Sequence, residues 1–185
     1  MLKDRIKWNK KYRKQKYPDF ASQIVKDYFA LARGKCVFDI GAGNGRNAVF
    51  LAAQGFSVIA ADISDAGLKL FVGSHPRVQP VCIDLDVFDI PENRFDLIIN
   101  IKYLNRRLFP FICAGLKQDG VLIFETLMEA EKDKGDRRIC RDYLLRENEL
   151  LHAFLSLRII HYSEKEKSGP DGENRMASLV AVRTG

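Results

Sequence analysis

No stretch of the 185-residue sequence reaches the roughly 18 consecutive apolar residues that a membrane-spanning helix requires, and no apolar core of signal-peptide type follows the charged N-terminus. A cytoplasmic protein without a membrane partner is therefore expected. Cysteine is sparse: Cys36, Cys82, Cys113 and Cys140 lie far apart without a C-x-x-C pair, which argues against a zinc knuckle and a disulfide framework. Cys36 and Cys82 fall in apolar runs and read as reduced core thiols. His75, His152 and His161 have no metal-ligand spacing, so no metal is expected. Internal repeats and low-complexity tracts are also lacking. What is present, 46% apolar and 29% charged residues, is the mixture of a globular chain, and at this length it predicts one domain over 1–185.

The net charge of +6 is unevenly placed, because the first sixteen residues hold eight Lys or Arg against the single Asp4. That arm, with Trp8, Tyr12 and Tyr17, has the composition of a nucleic-acid contact, cations for phosphate and rings for bases. The competing reading is a solvated amphipathic helix that packs Leu2, Ile6, Trp8 and Tyr12 on the body or over a ligand. Charge runs are usually solvated faces, so the helix is the expectation.

After Tyr17-Pro18-Asp19, apolar residues recur at helical spacing from Phe20 to Ala32, predicting one helix that ends at Gly34. Short apolar runs then alternate with helical segments. The runs are Cys36 to Ile40, Val58 to Asp62, Val78 to Ile83, Phe95 to Asn100 and Val121 to Glu125, the last after a turn at Lys117 to Gly120. Between them, helices are expected from Arg46 to Gln54, from an N-cap at Ser64 through Phe71, and up to about Leu116 with Pro110 in its first turn. Runs apolar on both faces and joined by helices imply a doubly covered parallel sheet, an α/β fold. Glu129 to Asp142 is dense in charge and is expected as a loop or lid. A helix around Glu147 to Leu155 precedes strands Leu157 to Tyr162 and Met176 to Val182, whose turn-rich connection predicts an antiparallel pair.

The sharpest local pattern is Asp39-Ile40-Gly41-Ala42-Gly43-Asn44-Gly45, between the first strand and the first crossover helix. Glycines there permit positive backbone dihedrals and close approach to a ligand, and the helix N-terminus offers free N–H groups. A dinucleotide fingerprint would carry its third glycine where Arg46 stands, so the spacing departs from NAD binding.

Asp39 two residues before Gly41, with G-x-G-x-G spacing, resembles motif I of class I S-adenosylmethionine-dependent methyltransferases. The resemblance implies a Rossmann-like, doubly wound, seven-stranded and mostly parallel sheet with an antiparallel last strand. It implies S-adenosylmethionine as cofactor, held by Asp39, Gly41, Ala42, Gly43, Asn44, Gly45, Asn47 and Asn100. Asp62, 21 residues after Gly41, would accept hydrogen bonds from the ribose diol, with Ile63 against the adenine. Asp84 would meet the adenine amino group, with the Leu85 backbone beside the ring. Asp96 starts its strand, far from the ligand end, and reads as structural. Trp8 and Tyr12 in a W-x-x-x-Y segment, then Tyr17-Pro18, Tyr103 to Phe109 and Leu122 to Thr126, are similar to the tellurite-resistance branch of small-molecule methyltransferases, in which the N-terminal segment packs near the cofactor.

That branch implies methyl transfer to a small acceptor, with an oxyanion such as tellurite or selenite as the example. Asn100, Tyr103 and Arg106, after the fourth strand, are the candidate catalytic residues, and Tyr143 and Arg146 would close the acceptor side. An Arg facing the pocket favours an anionic acceptor. Asn100-Ile101-Lys102-Tyr103 is not an N-P-P-Y-like run, which counts against methylation of bases or protein glutamine. An RNA methyltransferase using the basic arm, and a non-catalytic cofactor binder, are the alternative readings.

Overall fold

In the computed structural model, residues 2–15, 17–129, 143–169 and 172–184 are described, with side chains left out for 167–169 and 172–174. Helix α1 (Leu2–Lys14) precedes α2 (Gln23–Tyr28), which runs into a 3-10 turn at Phe29–Leu31. Then come β1 (Cys36–Ile40), α3 (Arg46–Ala53), β2 (Ser57–Asp62), α4 (Asp65–Leu68) and β3 (Val78–Cys82). The second half comprises β4 (Phe95–Ile101), α5 (Leu108–Gly115), β5 (Leu116–Leu127), α6 (Glu149–Ala153), β6 (Arg158–Gly169) and β7 (Gly172–Val182).

Seven strands form one sheet in the order β3-β2-β1-β4-β5-β7-β6, with β1 to β5 parallel. Strand β7 runs antiparallel to both β5 and β6, as the Rossmann-like expectation required. The central strands are buried on both faces, which is why they read as continuous apolar runs. One layer joins Phe38, Ile98, Leu122 and Phe124 to α5 and α6. The other joins Val37, Ile99, Ile101 and Ile123 to α2 and α3. The strand order reverses between β1 and β4, and in open parallel sheets ligands bind at the carboxyl ends beside such a reversal.

Several local expectations need correction. The helix expected from Phe20 to Ala32 is only α2 and its 3-10 turn, and Phe20 stays exposed. Lys117 to Gly120, expected as a turn, belongs to the irregular start of β5, where pairing jumps from Phe95–Leu116 to Leu97–Val121. The last two strands extend well beyond their apolar cores, because a hairpin ladder needs only backbone pairing once its base is buried. Cys82 is exposed, not a core thiol: β3 is an edge strand, which also accommodates Pro80 without a lost ladder bond. Cys36 and Cys113 are free and half-buried. Of Glu129 to Asp142, only Glu129 lies within the described residues, its N–H donating to the Leu145 carbonyl. No helix among the described residues is long and apolar enough to cross a membrane, and those residues contain no metal-binding group.

The basic arm is helical; Trp8 and Tyr12 are half-buried as expected, but Leu2 and Ile6 do not anchor it. Leu2 and Ile6 are 72% and 59% exposed, and no residue of α1 is buried. Polar bonds hold it as well. Asn9 donates to Asp65 at 2.8 Å and accepts from the Ser64 hydroxyl at 2.7 Å and the Ala66 N–H at 3.2 Å, and Arg5 pairs with Asp65 at 3.2 Å. Trp8, the single tryptophan, lies half-buried in this helix beneath the Lys11 ammonium, 4.5 Å from its ring centre. Asn9→Ala is therefore expected to red-shift Trp8 fluorescence while lowering the melting temperature by only a few degrees, a loss of about 1 kcal/mol. An unchanged emission maximum would show that these bonds do not hold α1.

Candidate active site

The glycine turn leaves β1 and enters α3 with Gly41, Gly43 and Gly45 all at positive φ, 65°, 60° and 73°. Two aromatic residues close on it. A β-carbon on Gly41 would lie 2.9 Å from Tyr103 Cβ, and one on Gly43 would run into the Tyr12 hydroxyl. Tyr12 also packs over Gly67 of α4, so α1 lies across the turn from the α4 side. At its other flank the Lys7 ammonium sits 5.1 Å from the Tyr143 ring centre, joining α1 to the segment before α6.

Asp62, at the carboxyl end of β2, is 8% exposed, and its two oxygens accept from the Gly43 and Ser64 N–H groups, each at 2.8 Å. Burial pushes its pKa up, and those backbone bonds pull it back. Both oxygens keep a lone pair for further donors. Ser64 caps α4 as its spacing suggested, accepting from the Gly67 N–H at 3.1 Å. Ile63 is half-buried beside Asp62, while at the end of β3 Asp84 accepts from the Asp86 N–H at 3.0 Å and Leu85 is buried. Asp96 is structural, accepting from the Cys36 N–H and from Lys117.

Asp39 is 1% exposed, and its Oδ2 has no hydrogen-bond partner among the described residues. Burial raises its pKa to about 8, against the lowering effect of Arg46. An acid whose folded pKa lies above its unfolded value binds more protons when folded, so the fold loses stability as pH rises between the two. The melting temperature of the ligand-free protein is accordingly expected to fall more steeply from about pH 4 to pH 8 than that of Asp39→Asn. Parallel melting curves would overturn the assignment.

Ala42 N–H donates to the Ala61 carbonyl, tying the turn to β2. The Asn44 amide donates to the Pro18 carbonyl, and Asn47 accepts from the Ser22 N–H, so both fasten the segment before α2 to the turn. Buried Asn100, at the end of β4, donates to the Tyr103 carbonyl at 2.6 Å and fixes the chain that carries Tyr103. The Tyr103 hydroxyl is pushed up to about 12, chiefly by burial, so it is protonated at neutral pH. Asn100 and Tyr103 thus come together with the glycines. Arg106 does not join them through its charge: its guanidinium is bound by Glu149, at 2.5 and 2.9 Å, and by the Leu144 carbonyl. With Arg146, Glu149, His152 and Phe109 it lines a groove of about 510 Å³.

Arg46 was not among the residues singled out from the sequence, although its place next to Gly45, opening α3, was a signal. Its guanidinium donates to the Phe20 carbonyl and the Ser22 hydroxyl, at 3.0 and 2.9 Å. Burial lowers its pKa, opposed by the charges of Asp39, Glu125 and Tyr12. The described residues therefore present a left-handed glycine turn, two buried carboxylates, one partly buried cation and two aromatic covers. That set fits a ligand with a nucleoside diol, an amino-acid end and no bulk against the backbone.

The family described as a methyltransferase domain matches residues 10–161. No curated protein sequence matches. Among solved structures, TehB from Haemophilus influenzae superposes with a TM-score of 0.76 at 19% identity, over 97% of this chain and 67% of that one. A SAM-dependent methyltransferase from Methanosarcina mazei gives 0.72 at 16%, over 89% and 99%. Phosphoethanolamine N-methyltransferase 2 from Haemonchus contortus, in complex with S-adenosyl-L-methionine, gives 0.69 at 16%, over 88% and 51%.

Proposed function

The chain belongs to the methyltransferase-domain family, whose methyl donor is S-adenosylmethionine, and from that premise we propose that it methylates a small molecule in the cytoplasm, with residues 1–185 as one domain and 1–17 as its cover. The observation that carries the reading is the triple positive-φ glycine turn facing buried Asp39 and Asp62.

Bound S-adenosylmethionine supplies a methyl group already activated on a sulfonium, so the chain's work is binding, alignment and exclusion of water. Gly41, Ala42, Gly43, Asn44 and Gly45 form the backbone cradle, with Asn47 bracing it. Asp62 accepts from the ribose diol, with Ile63, Asp84 and Leu85 around the adenine. Arg46 receives the carboxylate of the donor's amino-acid end, and Asp39, which burial keeps largely protonated without the donor, gives up its proton as its open Oδ2 meets the donor's ammonium. Tyr12 and Tyr103 close over the turn, and Asn100 keeps Tyr103 in place. Orientation of this kind supplies about 7–11 kcal/mol of a barrier in well-ordered cases.

For the acceptor, the groove holding Arg106, Arg146 and His152 supports an oxyanion such as tellurite or selenite. Such an acceptor carries its own lone pair and needs no base, but it must compete with Glu149 for Arg106. Calorimetric titration with S-adenosylmethionine, S-adenosylhomocysteine and NAD, each with and without tellurite, tests both parts. Binding of the two adenosyl ligands alone, altered by tellurite, is the expected result. Binding of NAD alone, or of nothing, overturns the donor, and indifference to tellurite overturns the oxyanion. The solvated cations of α1 favour RNA as the second reading, and its mark is RNA-dependent turnover that falls steeply with salt.

A further inference from the structure

One buried carboxylate takes no part in the reading above. Glu125, near the end of β5, is 7% exposed and accepts from the Ser178 hydroxyl at 2.8 Å. In the sheet register Ile101, Glu125 and Ser178 stand level on β4, β5 and β7, one rung beyond Asn100. Strand alternation puts Glu125 on the face of Val121 and Ile123, and Ser178 on that of Val180. These residues share one buried layer with Ile24 and Val25 of α2 and with Ala48 and Leu51 of α3, so Glu125 lies on the face of the sheet that those helices cover, as Asp39 does through Val37. The first residue of α3 is Arg46.

We propose that Glu125, oriented by Ser178, is a positioning residue that holds the Arg46 guanidinium over the glycine turn for the donor's carboxylate. This rests on the reading that Arg46 receives that carboxylate. Three observations carry it. Glu125 sits at the carboxyl edge of the sheet, where a charged side chain has no packing role that an apolar residue would not fill better. Ser178 comes from the one strand antiparallel to β5, so the pair is fixed by the sheet and not by a flexible loop. The Arg46 guanidinium is held at the Phe20 carbonyl and the Ser22 hydroxyl, just before α2, and α2 packs against β5, so Arg46 is turned toward the strand that carries Glu125, whose charge opposes the lowering of its pKa by burial. Glu125 and Asp39 thus lie on the face of the sheet that Arg46 borders, while its own hydrogen bonds reach back to Phe20 and Ser22. A cation balanced in this way keeps its charge in a buried site and cannot collapse onto a single carboxylate.

The test compares S-adenosylmethionine with decarboxylated S-adenosylmethionine, which lacks only the group Arg46 receives, in calorimetric titrations of the full chain. Glu125→Gln is expected to weaken S-adenosylmethionine about tenfold and to leave the decarboxylated ligand unchanged. Ser178→Ala should show the same selectivity with a smaller loss, and it keeps the test available if Glu125→Gln does not fold. The double variant Arg46→Gln/Glu125→Gln should bind no worse than Arg46→Gln alone, because the two act as one unit. Equal losses for both ligands would reduce Glu125 to a structural role, and additive losses would separate it from Arg46. Should the wild type fail to distinguish the two ligands, the Arg46 reading itself falls. Discrimination by the wild type that Glu125→Gln leaves intact would sink only the inference about Glu125.

Discussion

Asp62→Ala is expected to lower affinity for S-adenosylmethionine by about one to two orders of magnitude, the range for losing hydrogen bonds to a charged acceptor. Two effects combine. The carboxylate that would meet the ribose diol disappears, and the Gly43 and Ser64 N–H groups lose the acceptors they have at 2.8 Å. The second effect loosens the glycine turn at the residue that faces Tyr12. Asp62→Asn separates the two, since its remaining carbonyl oxygen still accepts one backbone N–H while its amide cannot accept from the diol. Affinity should therefore rank wild type, then Asn, then Ala, with all three folded. A folded alanine variant of unchanged affinity would remove Asp62 from the donor site.

Gly45→Val is expected to cost about 2–5 kcal/mol of stability, combining the left-handed-region penalty with overpacking. Gly45 has φ 73°, and a β-carbon there would run into the ring of buried Phe71. The backbone on one side and the core on the other leave it no room to relax. By contrast Gly55, also at positive φ, has open space around its would-be β-carbon, so Gly55→Ala pays the backbone strain alone. A melting comparison of the two variants isolates the packing component. Equal melting temperatures would mean that Phe71 moves aside freely, and the turn would then be less rigid than its geometry implies. Gly43→Val should act differently, displacing Tyr12 and blocking the donor with a smaller loss of stability.

The order of the elements and the glycine turn were legible in the sequence because both rest on local signals. Five apolar runs, with helices in three of the four gaps between them, point to a covered parallel sheet. A glycine turn after the first of them demands positive φ where no side chain is tolerated, and all three glycines have it. Ser64 capped its helix as read, since a cap is satisfied within four residues. The hairpin at the C-terminus followed from its short connection.

What the sequence could not decide was where long side chains end. Leu2 and Ile6 look like anchors of α1, yet Asn9 and Arg5 hold it, because their partners Ser64, Asp65 and Ala66 lie more than fifty residues away. The sequence does not show that the Arg106 guanidinium is bound by Glu149, 43 residues on. Arg46 is one residue past the recognisable turn, and only the sheet brings Asp39, Glu125 and Ser178 to its side. The chain's periodicity and glycine spacing are enforced by the backbone, so they alone determined the fold and the conformation of the glycine turn. Which charges pair depends on register between distant strands, and only the folded sheet settles that.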